Sequence, residues 1–433
     1  MSMNAIDRRS FLKYSGTAAA AGVGVMALPR FARAASGHVV VVGGGVGGAT
    51  TAHYLRRMAP DMKVTLVEPK ASYHTCFMSN EVLAGDRPLS SIEAGYDGLK
   101  GMGVNVVQDA VTGIDPAAKK ITLAGGDTLS YDRAVVSPGI DFKWDAIEGY
   151  GPEAAETMPH AWQAGPQTKL LRSQLENMKD GGTFAIVPPT NPFRCPPGPY
   201  ERVSLIAKYF QNHKPNSKIL ILDPKDGFSK QGLFMQAWEK FYGYGTDKSM
   251  ITWVPRGQNG TVRKVDAANM TLETDFETFK VDVANVIPPQ KAGKIAFDAD
   301  LVDGDWCPVD KQTFESTRHP GIHVLGDASI ATKMPKSGYS ANSQGKVCAA
   351  AIVAMMAGEP VPEPSYVNTC YSIAAEDWAF SVAAVYTLEG DTITPVEGAG
   401  GLSPMDASAE ERMQEVQYAH SWFNNIKADT FAL

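Results

Sequence analysis

The sequence predicts an α/β protein with two doubly wound parallel sheets and a separate C-terminal α+β domain. Three observations predict this fold: a β-branched run that ends in glycines, a second region of alternating apolar and helical segments, and prolines that punctuate residues 359–364. A chain of 433 residues also exceeds one ordinary hydrophobic core, which favours two or three domains. We place the first domain at 35–148 and 289–360, the second at 149–288, and a C-terminal interface domain at 361–433.

The first domain opens with a strand, a helix and a second strand. Four valines at 39–42 predict a buried strand, residues 49–58 have helical character, and residues 64–67 predict the next strand. We expect a polar loop at 69–91. A strand–helix–strand unit of about thirty residues is typical of the start of a doubly wound parallel sheet.

The loop after the first strand carries the pattern G-x-G-x-x-G. Gly43, Gly45 and Gly48 fit this pattern. Glycine lets the backbone turn tightly and approach a pyrophosphate, whose charge then lies at the N-terminus of the next helix. Glu68 follows Gly48 by 20 residues, where a carboxylate can accept a hydrogen bond from a ribose hydroxyl. Together these residues predict a dinucleotide site, and a purely structural glycine turn is the alternative.

Two later segments favour FAD over NAD as the nucleotide. Pro138 and Gly139 close one strand, and Gly326-Asp327 follow the apolar strand at 322–325. The second segment is similar to a signature of flavoproteins with two dinucleotide domains, in which the aspartate holds the ribityl or pyrophosphate region. Asp327 is therefore predicted to bind FAD, and an aspartate that only caps the next helix is the alternative.

The second domain lacks a glycine pattern after its first strand, which we place at 183–187. The strand leads instead into a proline-rich segment at 188–199. Prolines lack the N–H groups that bind phosphate, and their rings occupy the space that the backbone would have to leave free. The second domain is therefore predicted to lack a site for NAD.

Residues 1–34 are predicted to form an export signal that is not part of the fold. Arg8 and Arg9 precede a weakly apolar stretch at 18–28 and the small-x-small cleavage site Ala32-Arg33-Ala34. The apolar stretch is shorter than the roughly 20 residues that span a bilayer. Because the twin-arginine route exports folded proteins, we expect a protein that reaches the periplasm with its cofactor already bound.

The acidic balance of the chain restricts its partners. A formal net charge of −7 argues against nucleic acids and anionic membranes. No other stretch is apolar enough to cross a membrane, so we expect no stable membrane insertion. An acidic surface suits a basic patch on another protein.

The five cysteines do not form a local motif. They are Cys76, Cys195, Cys307, Cys348 and Cys370. The absence of C-x-x-C argues against a local redox motif and against a cysteine-rich metal site, and without C-x-x-C-H this chain attaches no c-type haem. We interpret Cys307 and Cys348 as small buried apolar residues.

Four unusual segments carry a resemblance that runs from His38 to the C-terminus. They are YHTCFMSNE at 73–81, PFRCPPGPYER at 192–202, MPKSGYSANSQG at 334–345 and NTCYS at 368–372. The chain resembles the flavoprotein subunit of flavocytochrome c sulfide dehydrogenase. This resemblance implies a fold of the glutathione reductase type and the oxidation of sulfide to sulfur chains at a redox-active disulfide beside FAD. It also implies a heterodimer with a c-type cytochrome, which carries the haem and receives the electrons.

The resemblance assigns three of the five cysteines. Cys76 matches the residue that carries FAD through a thioether to its 8α-methyl group, and Cys195 and Cys370 match the redox-active disulfide. From the residues alone, a pair so far apart could equally be a structural disulfide, although the position of Cys195 in the proline-rich segment favours catalysis. We choose Glu201 for proton transfer, and a solvated loop carboxylate is the alternative.

Four further residues are predicted to act near the flavin. Lys336, Ser340 and Asn342 lead into or lie in a helix whose N-terminal end could stabilise negative charge on reduced FAD. Trp422 is a candidate for a position between flavin and haem, and a role in the core is the alternative. The aromatic-rich C-terminal domain is the expected docking surface for the cytochrome.

Two other functions remain open. A sulfide:quinone oxidoreductase would need a lipid-facing amphipathic helix near the C-terminus, but residues 411–433 show no clean apolar stripe. A non-catalytic flavoprotein that relays electrons or carries sulfur is the alternative from another class, and the cysteine pair argues against it. An NAD(P)H-dependent reductase is disfavoured because the second glycine pattern is missing.

Overall fold

The computed structural model describes residues 35–433. The predicted twin-arginine signal at 1–34 lies outside the described residues. The predicted fold class is confirmed: two parallel sheets with flanking helices precede an antiparallel sheet and a long C-terminal helix.

The elements are named here in chain order. Residues 35–148 contain β1 (His38–Val42), α1 (Val46–Met58), β2 (Lys63–Val67), β3 (Ser72–His74), α2 (Ser79–Ala84), β4 (Glu93–Gly95), α3 (Asp97–Gly101), β5 (Asn105–Val107), β6 (Val111–Asp115), β7 (Lys120–Leu123), β8 (Thr128–Ser130), β9 (Arg133–Val136) and β10 (Ile140–Phe142). Residues 149–288 contain α4 (Pro166–Asn177), β11 (Thr183–Val187), α5 (Gly198–His213), β12 (Lys218–Leu222), α6 (Gln231–Tyr242), β13 (Ile251–Val254), β14 (Lys264–Asp266), β15 (Thr271–Glu273), β16 (Thr278–Lys280) and β17 (Val283–Val286). Residues 289–433 contain β18 (Gln290–Ala292), α7 (Lys294–Asp298), β19 (Ile322–Val324), α8 (Gly338–Ala357), β20 (Ser365–Ala375), β21 (Trp378–Glu389), β22 (Thr392–Leu402) and α9 (Ala409–Phe431).

The first sheet has the strand order β19-β9-β1-β2-β5, and all neighbouring strands are parallel. Its central strand β1 buries Val39, Val40 and Val41 completely, as expected for a strand that is covered on both faces. Helices α1 and α8 pack against each other beside this sheet. Because the strands are parallel, their carboxyl ends meet at one edge, where the glycine loop opens α1.

The predicted polar loop at 69–91 is wrong in part. The segment contains β3, α2 and a 3₁₀ turn at Leu89–Ile92. All six residues of α2 are buried, and this helix packs against α4 and α5. A helix this short is stabilised by tertiary packing, which leaves no periodic pattern in the sequence.

The second sheet has the order β13-β12-β11-β17 and is also parallel throughout. Asp223 follows its second strand β12, as Glu68 follows β2 in the first domain. Asp223 accepts hydrogen bonds from Tyr200 Oη at 2.5 Å and Trp253 Nε1 at 3.1 Å, and it pairs with Lys225 Nζ at 2.7 Å. The carboxylate of Asp223 is therefore bonded to side chains of the second domain and is part of its core.

Helix α5 begins at Gly198, while the chain is still in the proline-rich segment. Pro199 lies in its first turn, where the missing N–H group has no partner within the helix in any case. The early start places Tyr200, Glu201 and Arg202 on helical backbone. This turn connects the proline-rich segment to the core of the second domain.

The C-terminal domain is an antiparallel sheet of β20, β21 and β22 followed by α9. Strand β20 packs against α5 and α8, so it connects the C-terminal domain to both preceding domains. Helix α9 starts at a capping box in which Ser408 Oγ accepts from the Glu411 backbone N–H. Within residues 35–433, none of the helices combines the length and apolar character needed to cross a membrane.

Candidate active site

A cavity of about 590 Å³ lies at the carboxyl edge of the first sheet. Its size is within the range of cofactor and ligand pockets. The predicted cofactor residues that line it are Gly43, Gly45, Glu68, Cys76, Pro138, Gly139 and Asp327. The structure therefore brings most of the predicted nucleotide residues to one site, and we call it the nucleotide cavity.

In the glycine loop, the backbone of Gly48 lies directly against the backbone of Gly43. Gly43 has a φ of +98°, which favours glycine. A Cβ atom on Gly48 would lie 1.9 Å from the carbonyl oxygen of Gly43, so Gly48 is required for packing beneath the cavity. Gly44 N donates to Glu68 Oε2 at 2.8 Å, which fixes the carboxylate beside the loop.

The residues of the nucleotide cavity fit FAD. Asp327 Oδ1 and Arg194 Nε are buried atoms at its wall that have no hydrogen-bond partner among the described residues. Burial raises the pKa of Asp327, while Arg194 at 3.8 Å opposes that shift. A nucleotide hydroxyl could donate to Asp327, and the uncapped N-terminus of α1 could accept a diphosphate. When bound, FAD supplies a two-electron acceptor at this site.

Three predicted flavin residues lie outside the lining of the nucleotide cavity. Lys336 Nζ donates to the carbonyl oxygen of Asp327 at 2.7 Å, and its charge lies over the ring of Trp306 at 3.7 Å. Ser340 Oγ bonds to Asn368 in β20, and Asn342 Nδ2 donates to residues of α9. The Lys336 side chain therefore binds the loop at Asp327, whereas Ser340 and Asn342 connect α8 to β20 and α9. The first turn of α8 lines the cavity through Gly338 and Ala341.

A second, inner cavity of about 50 Å³ brings Cys195, Cys370 and Glu201 together. Cys76 and Arg194 line both cavities, so the inner cavity adjoins the nucleotide cavity. Arg194 was not predicted as a site residue, although it directly precedes Cys195. The three predicted catalytic residues therefore share one small space beside the cofactor site.

All five cysteines are thiols in this structure, and Cys195 hydrogen-bonds to Cys370. The predicted disulfide is thus not formed here, but its partners are in contact, and its redox role stays a prediction. The hydrogen bond from Cys195 and the nearby Lys230 ammonium lower the pKa of Cys370 to about 6, and the same bond raises the pKa of Cys195. Cys307 and Cys348 are fully buried, which confirms their interpretation as small apolar residues.

The two active-site cysteines are held by backbone contacts from different domains. Cys195 has a φ of +57°, and its N–H donates to the carbonyl oxygen of Lys336 at 2.8 Å. Cys370 lies in β20, and its carbonyl oxygen accepts from Lys230 Nζ at 3.0 Å. These contacts orient the pair before any bond forms between the two sulfurs.

Glu201 lies in the first turn of α5 and not in a solvated loop. Its Oε2 accepts from Asn80 Nδ2 at 2.8 Å, and its Oε1 accepts from the Ile373 N–H at 2.9 Å. Burial raises the pKa of Glu201 to about 7. A carboxyl group with such a pKa can both accept and donate a proton near neutral pH. Asn80 was missed because α2 was predicted as loop.

Trp422 lies between the inner cavity and the surface. It lines the inner cavity, and with Tyr371 and Tyr418 it also lines a surface groove of about 460 Å³. Phe77, which follows Cys76, has its ring centroid 5.3 Å from that of Trp422. Tyr418 is 54% exposed. A short series of aromatic rings therefore leads from the cofactor side to the surface.

No metal centre is found in the part of the chain that the structure describes. Residues 35–433 contain no group of three or more His, Cys, Asp or Glu side chains that could hold a metal ion.

Three family models match the chain. Residues 168–288 match the central region of the sulfide dehydrogenase (flavocytochrome c) flavoprotein chain, and residues 362–431 match the flavin-binding region of flavocytochrome c sulphide dehydrogenase. Residues 37–173 match the pyridine nucleotide-disulphide oxidoreductase family.

Curated relatives include both kinds of sulfide-oxidising flavoprotein. A sulfide dehydrogenase (flavocytochrome c) flavoprotein chain of Chlorobaculum thiosulfatiphilum is 64% identical over 44 residues, which is 10% of this chain and 92% of that relative. The mitochondrial sulfide:quinone oxidoreductase of Mus musculus is 24% identical over 318 residues, covering 69% of this chain and 66% of the relative. The corresponding protein of Dictyostelium discoideum is covered to 65%, so this chain spans slightly less than two thirds of these mitochondrial relatives.

Solved structures support the fold. The sulfide:quinone oxidoreductase of Aquifex aeolicus superposes with a TM-score of 0.69 at 17% identity, covering 92% of each chain. A covalent putidaredoxin reductase–putidaredoxin complex gives a TM-score of 0.64 at 15% identity, covering 92% of this chain and 98% of the other. At these identities the likeness shows the shared fold alone.

Proposed function

This chain belongs to the family of flavocytochrome c sulfide dehydrogenase flavoprotein chains, and on that premise we propose that it oxidises sulfide at Cys195 and Cys370 beside FAD. The observation that carries the proposal is the inner cavity. It holds the two contacting sulfurs and a carboxyl group of near-neutral pKa, and it shares Cys76 and Arg194 with the nucleotide cavity.

The chemistry begins with the oxidised cysteine pair. Hydrosulfide attacks one sulfur, a new S–S bond forms as the old one breaks, and the other cysteine leaves as a thiolate. The products are a cysteine persulfide and a cysteine thiolate, so charge and atoms balance. A second hydrosulfide can attack the outer sulfur of the persulfide: a new S–S bond forms, the bond to the cysteine sulfur breaks, and the sulfur leaves as HS–SH while the cysteine becomes a thiolate. Re-forming the disulfide from the two thiolates releases two electrons, which FAD would accept when bound.

Glu201 handles the proton of this step. Attack by hydrosulfide leaves a proton on the terminal sulfur of the persulfide, and a carboxylate close to the pair can accept it. With a pKa of about 7, Glu201 is ionised in a large fraction of molecules at neutral pH and can release the proton again. The hydrogen bonds from Asn80 and Ile373 hold the carboxylate in place.

Cys76 is the proposed attachment point of FAD through a thioether at the 8α position. Its position supports this, because it lines both cavities next to Arg194. Mass spectrometry of the denatured mature protein tests it: we expect FAD to remain on the peptide that contains Cys76. A Cys76 peptide of unmodified mass would contradict covalent attachment.

The proposed electron acceptor is a cytochrome c subunit that docks over the groove beside Trp422 and carries the haem. The similarity to a flavocytochrome c flavoprotein chain supports a cytochrome, and Trp422 lies between the inner cavity and that groove. A membrane quinone is the second candidate, because the mitochondrial relatives are named sulfide:quinone oxidoreductases. Sulfide-dependent reduction of a co-purifying haem protein, compared with reduction of a soluble quinone, distinguishes the two acceptors.

We place this heterodimer in the periplasm on the evidence of the sequence pattern at 1–34 alone. Fusion of residues 1–34 to a reporter that requires folded export tests the location. Loss of export after Arg8→Lys and Arg9→Lys together is the expected result.

Anaerobic sulfide titration tests the central proposal. Cys195→Ser and Cys370→Ser are each expected to abolish bleaching of the flavin absorbance by sulfide while FAD stays bound. Cys348→Ala, which changes a buried thiol on α8, serves as the matched control and should bleach normally. Normal bleaching in either active-site variant would contradict the proposed function.

A further inference from the structure

Arg202 is a buried cation that no carboxylate contacts. It lies in α5, is 1% exposed and lines the inner cavity. Its guanidinium donates to Asn80 Oδ1 at 3.0 Å, Asn285 Oδ1 at 2.7 Å, Ala161 O at 2.8 Å and His160 O at 3.3 Å. All four acceptors are neutral, and none of the ion pairs within residues 35–433 includes Arg202.

A buried charge without an opposite charge is costly. Burial lowers the pKa of Arg202 to about 9, so the guanidinium is still positive at neutral pH. It lies over the ring of Trp162 at 4.9 Å, which compensates only part of the cost. Cys195 and Glu201 act on this charge electrostatically, but no opposite charge touches the guanidinium, so the contact position is open to an anion that enters the cavity.

Glu201 is held away from Arg202 by an amide. Asn80 accepts from Arg202 with its oxygen and donates to Glu201 with its nitrogen, so it lies between the two charges. Because the carboxyl group titrates near pH 7, it does not provide a permanent counter-charge. The four protein acceptors use four of the five guanidinium N–H groups, which leaves one N–H of Nη2 for a ligand while Glu201 can still exchange protons.

The cavity selects for a small anion. Its volume of about 50 Å³ is a few times the roughly 10–15 Å³ that one water requires. Arg194 lines the side of the cavity that faces the nucleotide cavity and adds a second positive charge, which Asp327 partly balances at 3.8 Å. An anion with one or two heavy atoms fits both the charge and the space.

We infer that Arg202 is the anion-binding residue of the inner cavity, where it holds hydrosulfide before attack and stabilises the departing thiolate afterwards. This inference rests on the proposed function. The attack forms one S–S bond and breaks another, and the electron pair leaves on the second cysteine sulfur. Before proton transfer to Glu201, the reacting sulfur atoms carry a charge of −1 both before and after the attack, so one fixed cation can stabilise the attacking and the departing sulfur.

Bromide is a suitable probe, because it is a small monoanion whose anomalous scattering locates it in a crystal. We expect a bromide peak within hydrogen-bonding reach of Arg202 in the wild-type holoprotein and no peak in Arg202→Gln. In the same variant, the KM for sulfide in flavin reduction should rise about 10- to 100-fold, with a smaller change in kcat. Arg202→Lys keeps the charge and should restore most of the affinity.

Arg412→Gln is the matched control. Arg412 is also buried and lies over an indole ring, that of Trp378 at 5.3 Å, but it is remote from the inner cavity. It should leave bromide binding and the KM for sulfide unchanged. If Arg202→Gln does not fold, bromide binding in the wild type and in Arg202→Lys still tests the inference. An inner cavity without bromide in the wild type would overturn it.

The outcomes separate this inference from the proposed function. Bromide bound at Arg202 in a protein that sulfide does not reduce supports the anion site and contradicts the function. Sulfide reduction with an unchanged KM in Arg202→Gln overturns the inference and leaves the function intact.

Discussion

The two parallel sheets of this molecule differ in the environment of the carboxylate that follows the second strand of each domain. Each sheet carries a carboxylate directly after its second strand, Glu68 after β2 and Asp223 after β12. Glu68 lines an open cavity, whereas Asp223 is fully buried and binds Tyr200, Trp253 and Lys225. One carboxylate is available to a nucleotide, and the other is part of the core.

The difference originates in the loop after each first strand. In the first domain, glycines let the chain turn beneath a ligand, and a side chain at Gly48 would collide with the backbone of Gly43. In the second domain, the proline-rich segment 188–199 leads into α5 and places Tyr200 against Asp223. A change of loop composition can thus convert a ligand site into packed core without changing the sheet.

The strongest test of this comparison is Asp223→Asn. Removing the charge leaves the buried Lys225 ammonium without an opposite charge, because its other acceptor, the carbonyl oxygen of Pro189, is neutral. The free energy of unfolding should therefore fall by about 3 kcal/mol. Urea unfolding measures the loss, and the ratio of flavin to protein absorbance should not change. Asp226→Asn is the control, because Asp226 forms an exposed pair with Arg256 whose contribution to stability should be much smaller. Equal effects of the two substitutions would contradict a core role for Asp223.

Glu201 provides the second test, because this carboxyl group of the second domain changes its protonation state near neutral pH. Its pKa of about 7 in the folded protein exceeds the ordinary value of 4.5, so the folded state binds an extra proton between these pH values. The free energy of unfolding should therefore fall as pH rises from 4.5 to 7. Glu201→Gln should reduce that fall by about 3 kcal/mol in urea titrations at several pH values. Parallel pH curves for wild type and variant would show that Glu201 titrates normally.

Gly48→Ala tests the glycine loop of the first domain. The new Cβ would overlap the carbonyl oxygen of Gly43, and such overpacking should cost about 2 kcal/mol and reduce the FAD content of the purified protein. The ratio of absorbance at the flavin and protein maxima measures this content. Gly113→Ala is the control, since no atom lies within 4 Å of the added Cβ. Full FAD content in Gly48→Ala would show that the loop tolerates a side chain.

Glu68→Gln has the smallest expected effect. The amide can still accept from Gly44 N, but it loses the charge that strengthens hydrogen bonds to ribose hydroxyls. In a Cys76→Ala background, where FAD binds reversibly, its Kd should rise about tenfold, which is about 1.4 kcal/mol. Fluorescence titration with FAD measures the Kd. An unchanged Kd would show that the charge of Glu68 does not contribute to FAD binding, and the proposed difference in role between Glu68 and Asp223 would be wrong.

The parts of the fold that follow from local pattern could be predicted from the sequence. The valine run of β1, the strand at Thr183–Val187 and the glycine loop all carry their signal within a few residues. Helix α2 could not be predicted, because packing against α4 and α5 forms it. The positions of Lys336, Ser340 and Asn342 depend on which way each side chain points from or near α8, which residue type alone does not determine.

The candidate site shows the same limit. Gly43, Glu68 and Asp327 were found because each follows a recognisable strand. No local pattern joins Cys195 to Cys370, and only the resemblance to a known family brought them together. Arg194, Asn80 and Arg202 were missed, because their roles come from contacts between separate elements.

The cysteine pair also has a mechanical consequence, because Cys195 belongs to the second domain and Cys370 to the C-terminal domain. A bond between them would close a loop of about 175 residues and tie the domains together with a stabilisation of roughly 5 kcal/mol. In the proposed reaction, each turnover would break that bond. Hydrogen bonds near the pair cross the same boundary: Ile373 N–H donates to Glu201, and Lys230 Nζ donates to the carbonyl oxygen of Cys370. These hydrogen bonds would hold the two sulfurs in contact while the disulfide is reduced, so that it can re-form without a rearrangement of the domains.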